Sequence, residues 1–272
     1  RSVPPAEVIP CVEPMGIRIE KDLPFDEVAG LISLTELYRL SWGAKQVRGE
    51  EWQELKAEFD QRRLRMLAEA KNEGWIKPQA VYGYFPVWAD GNDLVVYDSL
   101  HSNTAHPVEL TRLNFPRQTS AEGLCLSDYF LPVGSTRFDV LPLQVVTVGR
   151  RATERFEELD ELGQYSEGYF LHGLAVQMAE ATAEYVHRQI RAEMGIGADQ
   201  GFRFSWGYPA LPWLREHRKV FDLVPVEKEL GMNLTSAWQL VPEQSTAAMV
   251  VHHPLAKPFD AGVSRMELLL GE

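Results

Sequence analysis

The chain has 272 residues, 45% of them apolar and 24% charged, enough to bury the core of one large domain or two small ones. A formal charge of −12 and a sequence pI near 5.1 argue against the clustered Lys and Arg of a sequence-independent phosphate-binding surface, so nucleic acid is not an expected partner. No apolar run approaches the roughly 20 residues that span a bilayer and no basic and apolar leader opens the chain; with Cys11 and Cys125 matching no zinc or CxxC spacing, reduced thiols in a cytoplasmic, membrane-free protein are expected.

Residues 1–20, with proline at 4, 5, 10 and 14, read as an extended linker from something upstream. A start on Arg1 rather than Met fits a piece of a larger protein, whose domain would then occupy 21–272. Two short helical patterns follow at 22–32 and 33–43; in the second, Ser33 and Glu36 have the spacing at which both side chains cap free backbone amides. From Glu50 to Asn72, Trp52, Leu55, Phe59, Leu64, Met66 and Leu67 recur at helical intervals, predicting a long amphipathic helix.

The period then changes to that of strands. Residues 80–98 hold two β-rich runs around Asp90-Gly91-Asn92-Asp93, a hairpin signal, and further strands are predicted in 107–115 and 138–149. Helices are predicted at 150–164 and from Ser166 to Met194, the latter burying Leu171, Leu174, Met178, Tyr185 and Ile190. After an irregular loop at 201–212 come helices at 213–224 and 226–231 and strands at 236–242 and 246–254. Without regular βα alternation, the expected class is α+β, a single large domain whose central, mainly antiparallel, twisted sheet is flanked by long helices.

Most sites of known chemistry are missing from this sequence. "GIGADQG" at Gly195–Gly201 follows a helix instead of a strand and has the wrong spacing for dinucleotide binding. His252 and His253 have no partner at metal-ligand spacing and are expected to be structural or solvent-facing; no metal site and no catalytic residue are assigned. Glu180, Glu184, His187 and Arg188 are explained by a solvated helix face.

The stretch "QGFRFSWGYPALP", Gln200–Pro212, is different. Gly207 can adopt positive φ while Pro209 and Pro212 fix theirs, so Tyr208 sits on a rigid irregular support. Arg203 can grip a carboxylate through two parallel hydrogen bonds and Tyr208 can lie against a cation or an apolar group, which suits a zwitterionic ligand with an aromatic part. A surface loop with a salt-bridged arginine explains the same residues equally well.

These residues and those around them resemble the C-terminal activation domain of cobalamin-dependent methionine synthases. The Arg-x-x-x-Gly-Tyr-Pro-Ala loop of that family is matched by Arg203, Gly207, Tyr208, Pro209 and Ala210, its Gly-Met-x-Leu-Thr step by Gly231, Met232, Leu234 and Thr235, and its later Pro-x-x-Ser and His-Pro by Pro242, Ser245, His253 and Pro254. "YGYFPVWADGNDLVVY", "LCLSDYFLP" and "MAEATAEYVHRQIR" extend the likeness over about residues 21–260.

The resemblance implies a module that binds S-adenosylmethionine and presents its methyl group for reductive methylation of cob(II)alamin, in methionine biosynthesis. Cobalamin would be held by an upstream domain of the same polypeptide and zinc elsewhere in the full enzyme, with a flavodoxin-like electron donor as a further partner; the isolated module would be inactive as a methyltransferase. Carried over, Arg203 holds the ligand carboxylate, the backbone from Phe204 through Ser205 to Gly207 meets the adenine edge, and Tyr208, with Pro209 and Ala210 beside it, packs at the sulfonium end. Glu180 favours the cation, directly or through water.

Two positions depart from the family pattern. Where the family has an aspartate for the ligand ammonium, this chain reads "ISLTELYRL", with Ser33 or Leu34 in place and Glu36 as the nearest acid. Where a Lys-Tyr pair stands near the end, it has Lys257 and Pro258, with Phe259 next. The alternative they motivate is a standalone corrinoid-protein docking module without S-adenosylmethionine binding.

Overall fold

The computed structural model describes residues 3–120 and 122–263, and its sheet begins inside the stretch expected to be a linker. Gly16–Glu20 form strand β1, paired antiparallel with Ala80–Tyr84. Val3 and Val12 are buried, and His253 Nε2 donates to the Pro4 carbonyl at 2.9 Å. The structured domain thus begins well before residue 21: the alternating "GIRIE" supplies a strand that the surrounding prolines disguise.

Phe25–Ala29 form a short helix α1, and Glu36–Ser41 a π-helical turn instead of the regular helix expected there. Helix α2 runs from Gly49 to Glu73. Strands β2 (Gln79–Asp90) and β3 (Asp93–Tyr97) make the predicted hairpin, with Gly91 at φ +62°, a left-handed conformation that glycine takes without cost. β4 (Glu109–Asn114) and β5 (Asp139–Thr147) follow, then α3 (Arg151–Glu161) and the long α4 (Tyr165–Glu193).

The expected loop at 201–212 opens instead with a strand, β6 (Phe202–Ser205). After it come α5 (His217–Leu223), α6 (Val226–Leu230), the short strands β7 (Asn233–Leu234) and β8 (Leu240–Val241), and β9 (Ser245–Val251). The strand expected over 236–242 shrinks to β8 because the Thr235 hydroxyl accepts from the amides of Ala237 and Gln239 and turns the chain there.

The main sheet is antiparallel throughout, in the order β4-β3-β2-β5-β9-β6, with β1 on the free part of β2. Alternation along the strands divides the core by face. Ala80, Tyr82, Tyr84, Val146 and Val250 meet α2 and α4, whereas Val81, Val87, Leu143, Val145 and Met249 meet the layer that holds Val220, Phe221 and Val226. This is the α+β architecture expected, with one sheet between helical layers. Among the described residues, no helix is long and apolar enough to cross a membrane. β6 ends the sheet, and α4 passes along its face.

Candidate functional site

A groove of about 680 Å3 opens where β6, α4, the turn after β6 and the chain at 258–260 converge. Its volume lies in the range of ordinary small-molecule sites, roughly 300–1,000 Å3. Arg203, Phe204 and Ser205 reach it from β6, Tyr208, Pro209 and Ala210 from the turn, Glu180 from α4, Glu36 from the π-helical turn and Phe259 from the C-terminal segment. The structure brings together every candidate except Gly207, which shapes the turn from outside the lining.

Gly207 has φ +89°, its amide donates to the Leu211 carbonyl at 2.7 Å, and the Leu211 amide returns a bond to the Tyr208 carbonyl at 2.8 Å. Tyr208 is thereby held at the mouth, 59% exposed. The negative charge of Glu180 pushes its phenol up, with burial adding to the effect and Arg203 opposing it. The Ala261 amide donates to the Pro209 carbonyl at 3.1 Å, tying the C-terminal segment to the turn and setting Phe259 against Phe204, ring centroids 6.3 Å apart.

At the centre, Arg203 Nη2 donates to Glu180 Oε2 at 3.1 Å, while its Nη1 is buried with no acceptor among the described residues. A buried guanidinium nitrogen without a partner costs about 1–3 kcal/mol, and a carboxylate is the acceptor that best removes the deficit. Glu36 does not complete the expected reciprocal cap: its amide donates to Ser33 Oγ at 3.3 Å, but its side chain lines the groove.

Gln177, Val176, Phe202 and Asp260 also line the groove and were not singled out from the sequence, and Pro258, noted there only as a departure from the family pattern, lines it too. Gln177 stands one helical turn before Glu180, a spacing that pointed to it. Lys257 turns outward to Glu122, 2.9 Å away.

The solvated helix face expected of Glu180, Glu184, His187 and Arg188 holds for Arg188, exposed and paired with Glu184 at 2.8 Å, and is corrected for His187 and Glu180. His187 is buried and bonded at 2.6 Å to the Gly201 carbonyl, and Glu180 faces the groove, because their stripe of α4 lies against β6 instead of water. His252 and His253 are both buried, His252 against Asp139 at 2.6 Å. Among the described residues no His, Cys, Asp and Glu side chains group as metal ligands.

A larger cavity, about 950 Å3, opens beside α3 and the β7–β8 hairpin. Its lining has no Phe, Tyr or Trp and sets Glu154, Glu157 and Glu243 beside Arg150, a poorer match to a zwitterion with an aromatic part than the Arg203 groove.

Comparisons with known proteins show the family and the fold. The family model described as "Vitamin B12 dependent methionine synthase, activation domain" matches residues 36–267. The chain is 35% identical to methionine synthase of Mycobacterium tuberculosis (strain ATCC 25618 / H37Rv) over 273 residues, covering 90% of this chain and 23% of that protein. For methionine synthase of Mycobacterium leprae (strain TN) the identity is 33%, covering 90% and 22%. The chain therefore spans less than a quarter of the length of these relatives. A crystal structure of the MetH reactivation domain bound to AdoHcy superposes with a TM-score of 0.80 at 24% identity, covering 93% of this chain and 83% of that one, a likeness of fold.

Proposed function

The chain belongs to the activation-domain family of vitamin B12-dependent methionine synthases, and from that premise we propose that its groove binds S-adenosylmethionine and holds the sulfonium methyl toward a corrin carried elsewhere in the full-length protein. The observation that carries this reading is Arg203, paired on one side with Glu180 and lacking an acceptor on the other, inside a partly aromatic groove.

Charge supports the choice of ligand. S-adenosylmethionine carries one carboxylate, one ammonium and one sulfonium, and the groove sets Arg203 against the acids Glu36, Glu180 and Asp260. Arg203 grips the carboxylate, and Glu36 takes over the ammonium from the aspartate of the family pattern. The rings of Phe204 and Phe259 supply apolar faces for the purine. As an edge strand, β6 leaves alternate amides and carbonyls outside the sheet, available to the purine edge. Tyr208 covers the sulfonium end. Bound there, the sulfonium supplies an electrophilic methyl carbon. The residues of this chain bind, orient and shield it, a positioning task without a general acid or base.

For the full-length protein, the relatives' name, methionine synthase, supports a methyltransferase of methionine biosynthesis; to this the family resemblance adds a cytoplasmic location, cobalamin and zinc held outside this chain and a flavodoxin-like electron donor. Thermal unfolding with S-adenosylhomocysteine tests the groove: an increase in Tm with ligand concentration is expected. No stabilisation at millimolar ligand would reject the reading and leave a corrinoid-docking module without this ligand, a rival that Glu36 in the lining argues against.

A further inference from the structure

Arg203 stands on the weakest strand of the main sheet. Among the described residues β6 pairs only with β9, through Phe202–Val251, Arg203–Val250, Phe204–Met249 and Ser205–Ala248, and no strand lies on its other edge. A short edge strand frays unless something else holds it. The chain enters β6 through Gly201, at φ +81°, where an added Cβ would lie 2.8 Å from Ile196 Cδ1.

Just before β6, Gln200 Nε2 donates to the His252 carbonyl at 2.6 Å, and α4 holds the strand at two further points. Glu180 bonds Arg203 at 3.1 Å, and His187, two turns further along the same face, bonds the Gly201 carbonyl at 2.6 Å. A carbonyl only accepts, so His187 Nε2 carries the proton. Behind the ring, Nδ1 lies 3.5 Å from Glu184 Oε2, and the Glu184 carboxylate meets Arg188 at 2.8 Å and Arg191 at 3.7 Å. Arg191 Nη1 in turn donates to the Ala198 carbonyl at 3.0 Å, closing the loop that leads into β6. His187 itself does not line the groove.

We infer that His187 is a positioning residue for ligand binding, fixing the height of Arg203 in the groove through the backbone at Gly201. Without this bond a buried carbonyl two residues before Arg203 has lost its donor, and the strand relaxes at the end that carries the guanidinium. The effect on affinity rests on the ligand reading above. The effect on β6 does not.

Three variants of the chain separate the possibilities. His187→Phe keeps a ring and removes the donor, His187→Gln keeps a donor near the Nε2 position, and Ile190→Val trims a buried core residue one turn on. Amide hydrogen exchange across Phe202–Ser205, recorded without ligand, is expected to quicken by about tenfold in His187→Phe and to stay near wild type in His187→Gln. The Kd for S-adenosylhomocysteine, measured calorimetrically, is expected to rise by about tenfold in His187→Phe and by less than about threefold in His187→Gln. It should not change in Ile190→Val, although that variant lowers Tm. Unchanged exchange in His187→Phe overturns the inference whether or not ligand binds. Faster exchange with unchanged affinity overturns the link to Arg203, and equal losses in the Phe and Gln variants overturn the role of the hydrogen bond. If the wild-type chain binds nothing, the ligand reading falls instead, and the exchange experiment still decides whether His187 holds β6.

Discussion

Glu180 Oε2 lies 3.1 Å from Arg203 Nη2, so the arginine of the groove is oriented by a carboxylate from α4 before any ligand arrives. An arginine held on one side and unsatisfied on the other is set to take a carboxylate with little loss of side-chain freedom. Arg203→Ala is therefore expected to weaken S-adenosylhomocysteine binding by about 1.5–3 kcal/mol, the scale of a charged hydrogen-bonded contact. Titration calorimetry reads this directly, and unchanged affinity removes Arg203 from the site.

The same pair gives a charge test. Glu180 is 37% exposed, so solvent screens it and its electrostatic contribution is small. Glu180→Gln is expected to weaken S-adenosylmethionine more than S-adenosylhomocysteine, by about 0.5 kcal/mol of difference, because only the first carries the sulfonium charge. Equal losses for the two ligands would assign Glu180 to Arg203 alone.

How far the sequence reached follows from where each signal resides. The β2–β3 hairpin was legible because its alternation and its Asp-Gly-Asn-Asp turn are local, and α2 and α4 because their apolar spacing repeats over many turns. β1 and β6 were not, since each is a few residues that become a strand only through a distant partner, β2 for one and β9 for the other. The site divides in the same way. Arg203 to Ala210 form one contiguous motif, whereas Val176 and Gln177 line the groove only because of the face that α4 turns toward β6. His187 was misplaced for that reason: charges spaced along a helix do not reveal which side meets water.

Gly83 marks the close approach of β1 to β2. A Cβ built there lies 2.8 Å from Ile17 Cδ1 and 2.9 Å from the Gly16 carbonyl oxygen, and the backbone oxygen has no rotamer through which to withdraw. Gly83→Ala is expected to cost about 1–3 kcal/mol, the range for overpacking a filled site. Urea unfolding measures the loss, and hydrogen exchange should locate it in Gly16–Glu20 ahead of β5.

Asp139 and His252 form a second connection between elements, buried on both sides. The carboxylate accepts from His252 Nε2 at 2.6 Å and from the amides of Leu131 at 2.9 Å and Val140 at 2.7 Å, with both side chains almost fully out of water. Removing Asp139 leaves the buried His252 ring with neither nitrogen partnered, so Asp139→Ala is expected to destabilise the chain by about 3–5 kcal/mol. His252→Ala should cost less, because the carboxylate keeps the amides of Leu131 and Val140, and the double variant less than the sum. Strict additivity in equilibrium unfolding would show that the two do not act together.

Glu184 contributes to the response to acid. The imidazole of His187 is the largest influence on its carboxyl and, with Arg188, draws it from the ordinary 4.5 down to about 2, against the opposing effect of burial. A carboxyl whose folded value is depressed binds its proton more readily in the unfolded chain, so its stabilisation is present above about pH 4.5 and disappears as the pH falls toward 2. A shift of that size corresponds to about 3 kcal/mol before screening. With a third of the side chain in water, about 1–2 kcal/mol is the expected contribution. Glu184→Gln should lower stability at pH 7 by that amount and flatten the stability curve between about pH 4.5 and 2, where the wild type loses it. Denaturant midpoints recorded across that range decide the point: parallel curves for wild type and variant would mean that Glu184 does not carry the acid response.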